Sequence, residues 1–562
     1  MRERLDPTDD RRTPGSTTMQ AERISAARRE AGLTQRELAD LLGTSLWTMD
    51  QIESGRRDPR RYAARIEGAL GRPRGSLVAT DPVAERSAVD GSVTSVWRPD
   101  SLGRDLVLAA LSIIITIRFF TESIALLPSA GNFIDVLLLP ILLAAVAFRP
   151  THGQSRTSPY SLLAIALLAI CAISVALNAS RVAYAPALLF VYGFLGPLLF
   201  YYATYRLWPV GQALSLSRVV VALGVLQFGV IAIFDLPTFV SSRNPDDIVG
   251  TFGGNAYQLV FFLLVFAGLV AGIATFEPQR RVARFAPLIF GATFLVIFLA
   301  QYRALIVSTA LTIVVIVLML RYASGKGVLV GAVIILAFIT GLGYVATRFP
   351  EFRILPTIEA IRDDPGSFVR GRLAPASDVA SLYGDDPRFV ATGTGPGTFS
   401  SRAWRTFAEV GDPASAEGAA QPYAAALTGG EPYRTDVSDR YVVPRLETAT
   451  AVLGSIALSS PFSSYVALLA EVGVIGFVLM VAIYFRATLE SWRIADLSIK
   501  TRPKGDPLPA LALATFVAFL LLVQMAVLEN WWEVARVTVP SWIMLAACTK
   551  EFAARRRVLD AV

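Results

Sequence analysis

The chain has 562 residues, of which 54% are hydrophobic and only 17% are charged. A soluble protein of this length needs more charge to cover its surface, so the composition excludes one large water-soluble enzyme and indicates an integral membrane protein. The net charge is +7, and the two cysteines, Cys171 and Cys548, both lie in apolar segments, which excludes a disulfide framework and a cysteine-based metal site.

The first hundred residues are polar. Residues 1–19 lack apolar periodicity and are predicted to be a disordered tail, whereas residues 20–71 carry apolar residues at helical spacing. Residues 72–103 mix Pro, Gly, Ser and charge, which is typical of a linker. The N-terminus is charged and lacks the apolar core of a signal peptide, so we expect this part of the chain to stay in the cytoplasm.

The pattern within residues 20–71 predicts a helix-turn-helix. Thr34 is a predicted N-cap, and Glu37, three residues later, completes a capping box. Gly-Thr-Ser at 43–45 predicts a tight turn, after which Ser45 caps a second helix. Such a second helix would lie in the major groove of DNA, with its first turn facing the base edges.

Residues 20–71 resemble the lambdoid-repressor-like (XRE) family, through "TQRELA" at 34–39, "ESGRRDP" at 53–59 and "LG" at 70–71. The resemblance implies that Gln35 contacts the DNA backbone and that Leu46, Trp47 and Gln51 occupy the base-reading positions. Leu46 and Trp47 cannot form the bidentate hydrogen bonds that distinguish bases, whereas Gln51 can. Arg56 and the arginines after it can neutralise phosphates. Two roles therefore stay open for this segment: binding DNA, or binding a cytoplasmic protein.

Apolar runs suited to crossing a membrane follow the linker, since a spanning helix needs about 20 residues. Twelve runs lie near 105–126, 132–148, 159–178, 187–204, 219–236, 258–276, 286–301, 304–322, 328–347, 464–486, 508–528 and 533–549. With the N-terminus inside, an even number of spans leaves the most basic short loops and the tail in the cytoplasm, as the positive-inside rule requires.

These runs predict an all-α polytopic protein of the cytoplasmic membrane, with about 12 transmembrane helices and both termini in the cytoplasm. Residues 104–348 hold the first nine helices and residues 462–549 the last three. Between them, residues 349–461 form one large extracytoplasmic loop, and residues 550–562 form a basic cytoplasmic tail.

Charged residues inside the membrane part are candidates for function, because burying charge in a bilayer is costly. Arg303 lies between two apolar runs at the outer membrane face. Arg118 and Glu122 are four residues apart and are predicted to pair on one helix face. Asp135 and Asp235 lie near outer helix ends, where we expect them to be solvated.

Four stretches, in order, carry a second resemblance. They are "VGTFGGNAYQLVFFLL" at 249–264, "QYRAL" at 301–305, "GRLAPASDVASLYGDDPRFVATGTGPGTF" at 371–399 and "SSYVALLAEVGVIGFVL" at 463–479. Together they resemble the O-antigen ligase and polymerase superfamily of membrane glycosyltransferases, which implies a GT-C-like fold. The implied reaction moves a glycan from a polyprenyl diphosphate to an acceptor glycan or lipid, without metal or other cofactor.

The resemblance also implies site residues. Arg303 and Arg372 match the family's arginine positions and would bind the diphosphate, as guanidinium groups bind phosphate oxygens bidentately. Glu471 joins them as a catalytic candidate. The residues implied to bind substrate are Asn255, Gly393, Gly395, Gly397 and Tyr465.

The chain departs from the superfamily at the residue that would take the proton of the acceptor hydroxyl. Ligases of this family have a loop histidine where this chain has Phe462, and its one histidine, His152, lies in a short loop that the topology places inside. Either a carboxylate replaces the histidine, or leaving-group stabilisation suffices, or the domain only binds glycan. The candidate carboxylates are Asp436, Asp439, Glu447 and Glu471. The absence favours a polymerase or divergent transferase over a standard ligase.

A second class of function stays open. A membrane-tethered, DNA-binding transcriptional regulator could sense lipid-linked glycan through its membrane domain. A transporter is less favoured, because the sequence has no internal repeat.

Overall fold

The computed structural model describes residues 15–42, 44, 46–55, 59–62, 66–67, 69–70, 99–148, 160–277, 280–300, 308–315, 340, 362, 365–408, 432–445, 463–500 and 506–560. Two compact units divide the chain, residues 1–97 and residues 98–562. The described residues form helices and turns and include no strand, as predicted for an all-α protein.

The described part of the N-terminal unit includes the helices α1 (Gly15–Glu30), α2 (Gln35–Leu41) and α3 (Leu46–Glu53). A short 3₁₀ helix follows at Pro59–Tyr62. The predicted capping box at the start of α2 is confirmed, because the Glu37 N–H donates to Oγ1 of Thr34 at 3.2 Å and the Thr34 N–H donates to Oε2 of Glu37 at 2.8 Å. Ser45, the predicted cap of the second helix, lies outside the described residues.

This unit has a hydrophobic core of its own. Ile24 of α1, Leu38 of α2 and Met49 of α3 are fully buried against one another. Beside them, Arg28 donates to both oxygens of Glu53, at 2.7 and 3.1 Å, and ties α1 to the end of α3. Burial of each such aliphatic side chain stabilises the fold by about 1.5–3 kcal/mol.

The second unit is built from long apolar helices and short connecting ones. In chain order they are α4 (Pro99–Arg118), α5 (Ile134–Ala147), α6 (Ser161–Leu177), α7 (Tyr184–Leu207), α8 (Ala213–Val230), α9 (Leu236–Ser242), α10 (Ala256–Phe276), α11 (Arg281–Arg284), α12 (Ala286–Ala300), α13 (Pro365–Asp385), α14 (Phe389–Thr392), α15 (Arg402–Phe407), α16 (Asp436–Tyr441), α17 (Ser464–Lys500), α18 (Leu508–Met525) and α19 (Ala535–Asp560).

Within the described residues, six helical stretches are long and apolar enough to cross a membrane, and three apolar helices are shorter. The six are Ser101–Ser123, Tyr184–Leu207, Ala213–Ser242, Ala256–Phe276, Ser464–Lys500 and Leu508–Met525. The shorter three, and α19, fall on predicted spans. Most of the predicted spans near 304–322 and 328–347 lies outside the described residues, so the number twelve stays a prediction.

Helices α10 and α18 pack closely because small residues line their contact. A Cβ placed on Gly272 would lie 2.5 Å from the Cα of Ala510, and one on Gly268 would lie 3.2 Å from a methyl group of Val517. The spacing of the two glycines, four residues apart on α10, lets the backbones approach as they do in small-xxx-small contacts of membrane helices. Among the candidate membrane spans of the described residues, these two helices are the most buried.

Candidate functional site

The glycine-rich segment 393–399, here called the glycine loop, docks onto a break in α17. Gly473 has φ 69° and ψ −176° and interrupts the helix. The break leaves backbone carbonyls of the preceding turn available. Thr394 donates its N–H to the Ala470 carbonyl at 2.8 Å, and Gly395 donates its N–H to the Glu471 carbonyl at 3.0 Å.

The side chain of Glu471 completes the same junction. Its Oε1 accepts the backbone N–H of Phe399 at 3.0 Å and that of Ser401 at 2.9 Å. Its Oε2 accepts the N–H of Gly397. The residue is fully buried. Both oxygens of the predicted catalytic carboxylate are thus engaged in holding the glycine loop.

Two of the loop glycines are required by close approach as well as by conformation. Gly393 has φ +65°, and a Cβ there would lie 2.3 Å from the carbonyl carbon of Glu471. Gly397 has φ +75°, and its Cβ would lie 2.7 Å from the carbonyl carbon of Pro186. Gly395 also has positive φ, at +110°. A side chain at these positions would push the loop off α17 and α7.

Two tyrosines bind the surrounding polar region to the helices. Tyr383 donates its hydroxyl to the Leu469 carbonyl at 2.8 Å, and Tyr433 donates to the Arg181 carbonyl at 2.7 Å. Burial raises the pKa of both Tyr383 and Tyr433 to about 12, so both stay neutral donors at physiological pH.

The segment around "VGTFGGN" packs against the end of α4. Thr251 donates its hydroxyl to the Ile115 carbonyl at 2.9 Å. A Cβ on Gly253, whose φ is +54°, would lie 2.1 Å from Oε2 of Glu122. Arg118 and Glu122 pair at 3.3 Å, which confirms the predicted i,i+4 contact. The stretch 249–264 therefore lies directly beside a partly buried ion pair.

A cavity opens next to this pair, where several helix ends meet. We call it the arginine cavity, after Arg118 of α4, Arg402 of α15 and Arg536 of α19, which line it together with Asp135 and Glu533. Its volume is about 120 Å³. The cavity therefore has room for the reacting groups of larger ligands, whose remaining parts would lie outside it.

Hydrogen bonds fix the walls of this cavity. Tyr192 donates its hydroxyl to Oδ2 of Asp135 at 2.7 Å, and Arg536 donates from Nη2 to the Asn132 carbonyl at 2.8 Å. The Arg402 N–H donates to Oε2 of Glu533 at 2.9 Å. Since Ser401 donates to Glu471, the residue that follows it, Arg402, is held by the docked glycine loop.

Several polar atoms in the cavity wall have no hydrogen-bond partner among the residues that the structure describes. They include Nε of Arg536, Oε1 of Glu533 and Oε1 of Gln258. These three side chains can therefore offer a ligand one donor and two acceptors. Buried polar atoms without a protein partner can hydrogen-bond to a ligand or to bound water.

The expectation that Asp135 and Asp235 are solvated is wrong. Asp135 is buried in the cavity wall, and Asp235 is buried and accepts the backbone N–H groups of Val249 and Gly250 at 2.9 and 2.6 Å. A carboxylate at the end of an apolar helix can be enclosed by neighbouring segments. The local sequence does not predict such burial.

The remaining predicted residues of the membrane part are dispersed. Arg303 lies outside the described residues, and Arg372 belongs to α13 with its side chain outside them. Asn255 is buried at the start of α10. Tyr465 donates its hydroxyl to the Val523 carbonyl at 3.2 Å, and its ring centroid lies 4.9 Å from that of Trp532.

Two of the other candidate carboxylates, Asp436 and Asp439, are less enclosed than Glu471. Asp436 pairs with Arg181 at 3.1 Å, and Asp439 pairs with Arg434 at 3.7 Å, in both cases at the surface. Glu447, Phe462 and His152 lie outside the described residues.

In the N-terminal unit, Gln35 donates its side-chain N–H to Oε2 of Glu53 at 2.8 Å, so the predicted backbone-contacting side chain is tied to the interior network. Leu46 and Trp47 begin α3 and are 46% and 66% exposed. Gln51 is half-buried on the same helix, and Arg56 lies outside the described residues.

Residues 24–72 match the family model described as Helix-turn-helix. The N-terminal unit therefore carries a helix-turn-helix domain of the kind that binds DNA in regulators. The second unit has helices able to span a membrane, which is consistent with a membrane protein. No curated protein and no solved structure matches the chain.

The prediction missed Glu533 and Arg536. They stand in "ENWWEVARV" at 529–537, which reads as the charged boundary of the last span. Their spacing of three residues just before an apolar run was the available signal, since residues so spaced share a helix face. Arg118 was predicted to pair with Glu122 but not to line a cavity.

Proposed function

We propose that the chain is a membrane glycan transferase, which moves an oligo- or polysaccharide from a polyprenyl diphosphate to an acceptor hydroxyl at the outer face of the cytoplasmic membrane. The observation that carries the proposal is the arginine cavity, where Arg118, Arg402 and Arg536 from three separate segments meet beside the docked glycine loop. The proposed reaction uses no metal or other cofactor, and the acceptor is a glycan or a lipid.

Negative charge develops on the diphosphate as its bond to the sugar breaks. Guanidinium groups held in a partly dehydrated cavity stabilise that charge without having to reorganise. The Nε–H of Arg536, which has no hydrogen-bond partner within the described ranges, is one donor that such a ligand can use. Arg303 and Arg372, which the superfamily resemblance assigns to the diphosphate, are proposed to act on the same group.

We assign Glu471 a positioning role in this scheme. Its two oxygens accept hydrogen bonds from Gly397, Phe399 and Ser401, which supports holding the loop over taking a proton. Asn255 and Tyr465 are proposed to shape the substrate site from the starts of α10 and α17. Because the histidine of standard ligases is absent, a polymerase or a divergent transferase is the favoured member of the class.

The test compares two arginines one turn apart on α15. A native host lacking the gene is complemented with the full chain, with residues 104–562 alone, with Arg402→Ala or with Arg405→Ala, and its surface glycan is profiled. Arg402 lines the cavity and Arg405 does not. We expect the full chain, residues 104–562 and Arg405→Ala to restore the glycan, and Arg402→Ala to lower it about tenfold or more. A host whose glycans do not change when the gene is removed contradicts the proposal.

A membrane-tethered, DNA-binding regulator is the second candidate, and the match of residues 24–72 favours it. Against it stand the exposed Leu46 and Trp47 at the start of α3, which offer no hydrogen bonds to bases. A gel-shift assay of residues 1–97 at low salt separates the two, because phosphate contacts are strongest there. The absence of any shift excludes the regulator. The remaining role for the domain is then to bind a cytoplasmic protein.

A further inference from the structure

Transfer of a glycan to a hydroxyl group needs an acceptor for the hydroxyl proton. General bases act from hydrogen-bond distance of the proton that they remove, and carboxylates serve where no histidine is present. The chain has one histidine, His152. Of the carboxylates named from the sequence, Glu471 has both oxygens occupied, and Asp436 and Asp439 are paired at the surface.

Glu533 differs from all of these. It ends the short 3₁₀ helix Trp531–Glu533, just before α19, and lines the arginine cavity. One oxygen, Oε2, is fixed by the N–H of Arg402 at 2.9 Å. The other, Oε1, is shielded from solvent and has no hydrogen-bond partner in the described part of the chain. Its orientation is therefore set while one basic oxygen stays available.

We propose that Glu533 is the general base that takes the proton of the acceptor hydroxyl, an inference that rests on the proposed function of the arginine cavity. A phosphate oxygen cannot donate a hydrogen bond to Oε1 and would be repelled by a carboxylate. A hydroxyl group can donate one. Within one cavity the arginines thus suit the departing diphosphate, and Glu533 suits the attacking hydroxyl.

The step balances as a displacement at the anomeric carbon of the donor sugar. The acceptor oxygen forms the new C–O bond, and the C–O bond to the diphosphate breaks, with its electron pair leaving on the diphosphate. The hydroxyl proton passes to Oε1 of Glu533. The protonated carboxyl then gives this proton to water at the mouth of the cavity, which restores the carboxylate.

The loop and the base are mechanically connected. Ser401 donates its N–H to Glu471, and the next residue, Arg402, donates its N–H to Glu533. The docked glycine loop therefore holds the base through two adjacent backbone groups.

The experiment follows turnover by purified full-length protein. Membranes from a native host lacking the gene supply the endogenous lipid-linked glycan, and its consumption is timed. We expect Glu533→Gln to lower kcat roughly 10²–10⁴-fold, with the KM for the donor changed less than about threefold. Asp246→Asn, in an exposed turn, removes a carboxylate outside the cavity and should keep the wild-type rate.

A second variant distinguishes loss of the general base from misfolding of the protein. Glu533→Ala leaves space for a small carboxylate, and added formate should raise its rate about tenfold or more while leaving the wild type unchanged. The assignment of Glu533 is overturned if Glu533→Gln stays within about threefold of the wild-type kcat, or if formate fails to restore Glu533→Ala. A wild-type protein that consumes no lipid-linked glycan instead overturns the proposed function, and the inference with it.

Discussion

The backbone N–H of Phe399 donates a 3.0 Å hydrogen bond to Oε1 of Glu471, a residue 72 positions further along the chain. This contact joins the glycine loop to the interior of α17 and brings two distant sequence motifs into one structure. The carboxylate serves as an acceptor for three backbone groups, which no neutral side chain of its size can do equally well.

We expect Glu471→Gln to weaken this junction. The amide keeps one acceptor oxygen but turns an NH₂ group toward a backbone N–H, so the free energy of unfolding should fall by about 2 kcal/mol or more. Thermal unfolding of the purified protein in detergent measures the change. Asp436→Asn, which removes an exposed carboxylate, is the control and should leave the Tm in place. Equal Tm values for the two variants would contradict the anchoring role.

Gly393→Ala should destabilise the protein more than the addition of one methyl group would suggest. The added Cβ meets the backbone of Glu471 at 2.3 Å, and the residue keeps a positive φ. Strain and overlap together should cost about 2–4 kcal/mol. Gly384→Ala is the matched control, since nothing lies within 4 Å of its Cβ and it stands in helix α13. That change should stabilise by about 0.5–1 kcal/mol. Expression yield and Tm of the two variants measure the difference in their stability.

The N-terminal unit should show a pH dependence that comes from Glu37. Hydrogen bonds from the backbone N–H and then the hydroxyl of Thr34 lower the pKa of Glu37 below its ordinary value of 4.5. The ionised form is thus favoured by folding, so its stabilising contribution is present above the unfolded-state pKa and is lost as the pH falls through the folded-state pKa.

The measurement compares residues 1–97 with Glu37→Gln in the same fragment, which has its own core. Wild type should unfold at the higher temperature at about pH 7, and the difference should shrink toward zero by about pH 3. A constant difference across that range would exclude the ionised capping box as its source.

Glu53→Ala should unfold the N-terminal unit. The change leaves Arg28 and Gln35 without their shared carboxylate partner, whose side chain is 5% exposed. Removing one member of a buried ion pair costs about 3–5 kcal/mol, which equals most of the stability of a domain this small. Circular dichroism of residues 1–97 reports the loss of helix. Asp50→Ala, at an exposed site on α3, should stay folded, and a folded Glu53→Ala would refute the argument.

The features that the sequence predicted well are local ones. The capping box of Thr34 and Glu37 and the pair of Arg118 and Glu122 each join residues three or four positions apart, where helical geometry alone brings side chains together. Apolar runs likewise predicted most long helices, because their length follows from membrane thickness.

The features that the sequence did not predict are those assembled from distant segments. The arginine cavity takes residues from α4, α15 and α19, and no periodicity relates them. The four stretches named by resemblance led to Glu471 and the loop glycines, whose contacts are now visible. They did not lead to Glu533, because its neighbour Arg402, at the start of α15, lies more than a hundred residues earlier in the chain.

The break at Gly473 has a consequence for the surroundings in which α17 can be stable. The carbonyls of Ala470 and Glu471, in the turn before the break, accept hydrogen bonds from Thr394 and Gly395. In lipid, each such group left unpaired would cost several kcal/mol, and broken helices persist only where protein encloses them. Docking of the glycine loop therefore gives the broken helix partners that a bilayer would not supply.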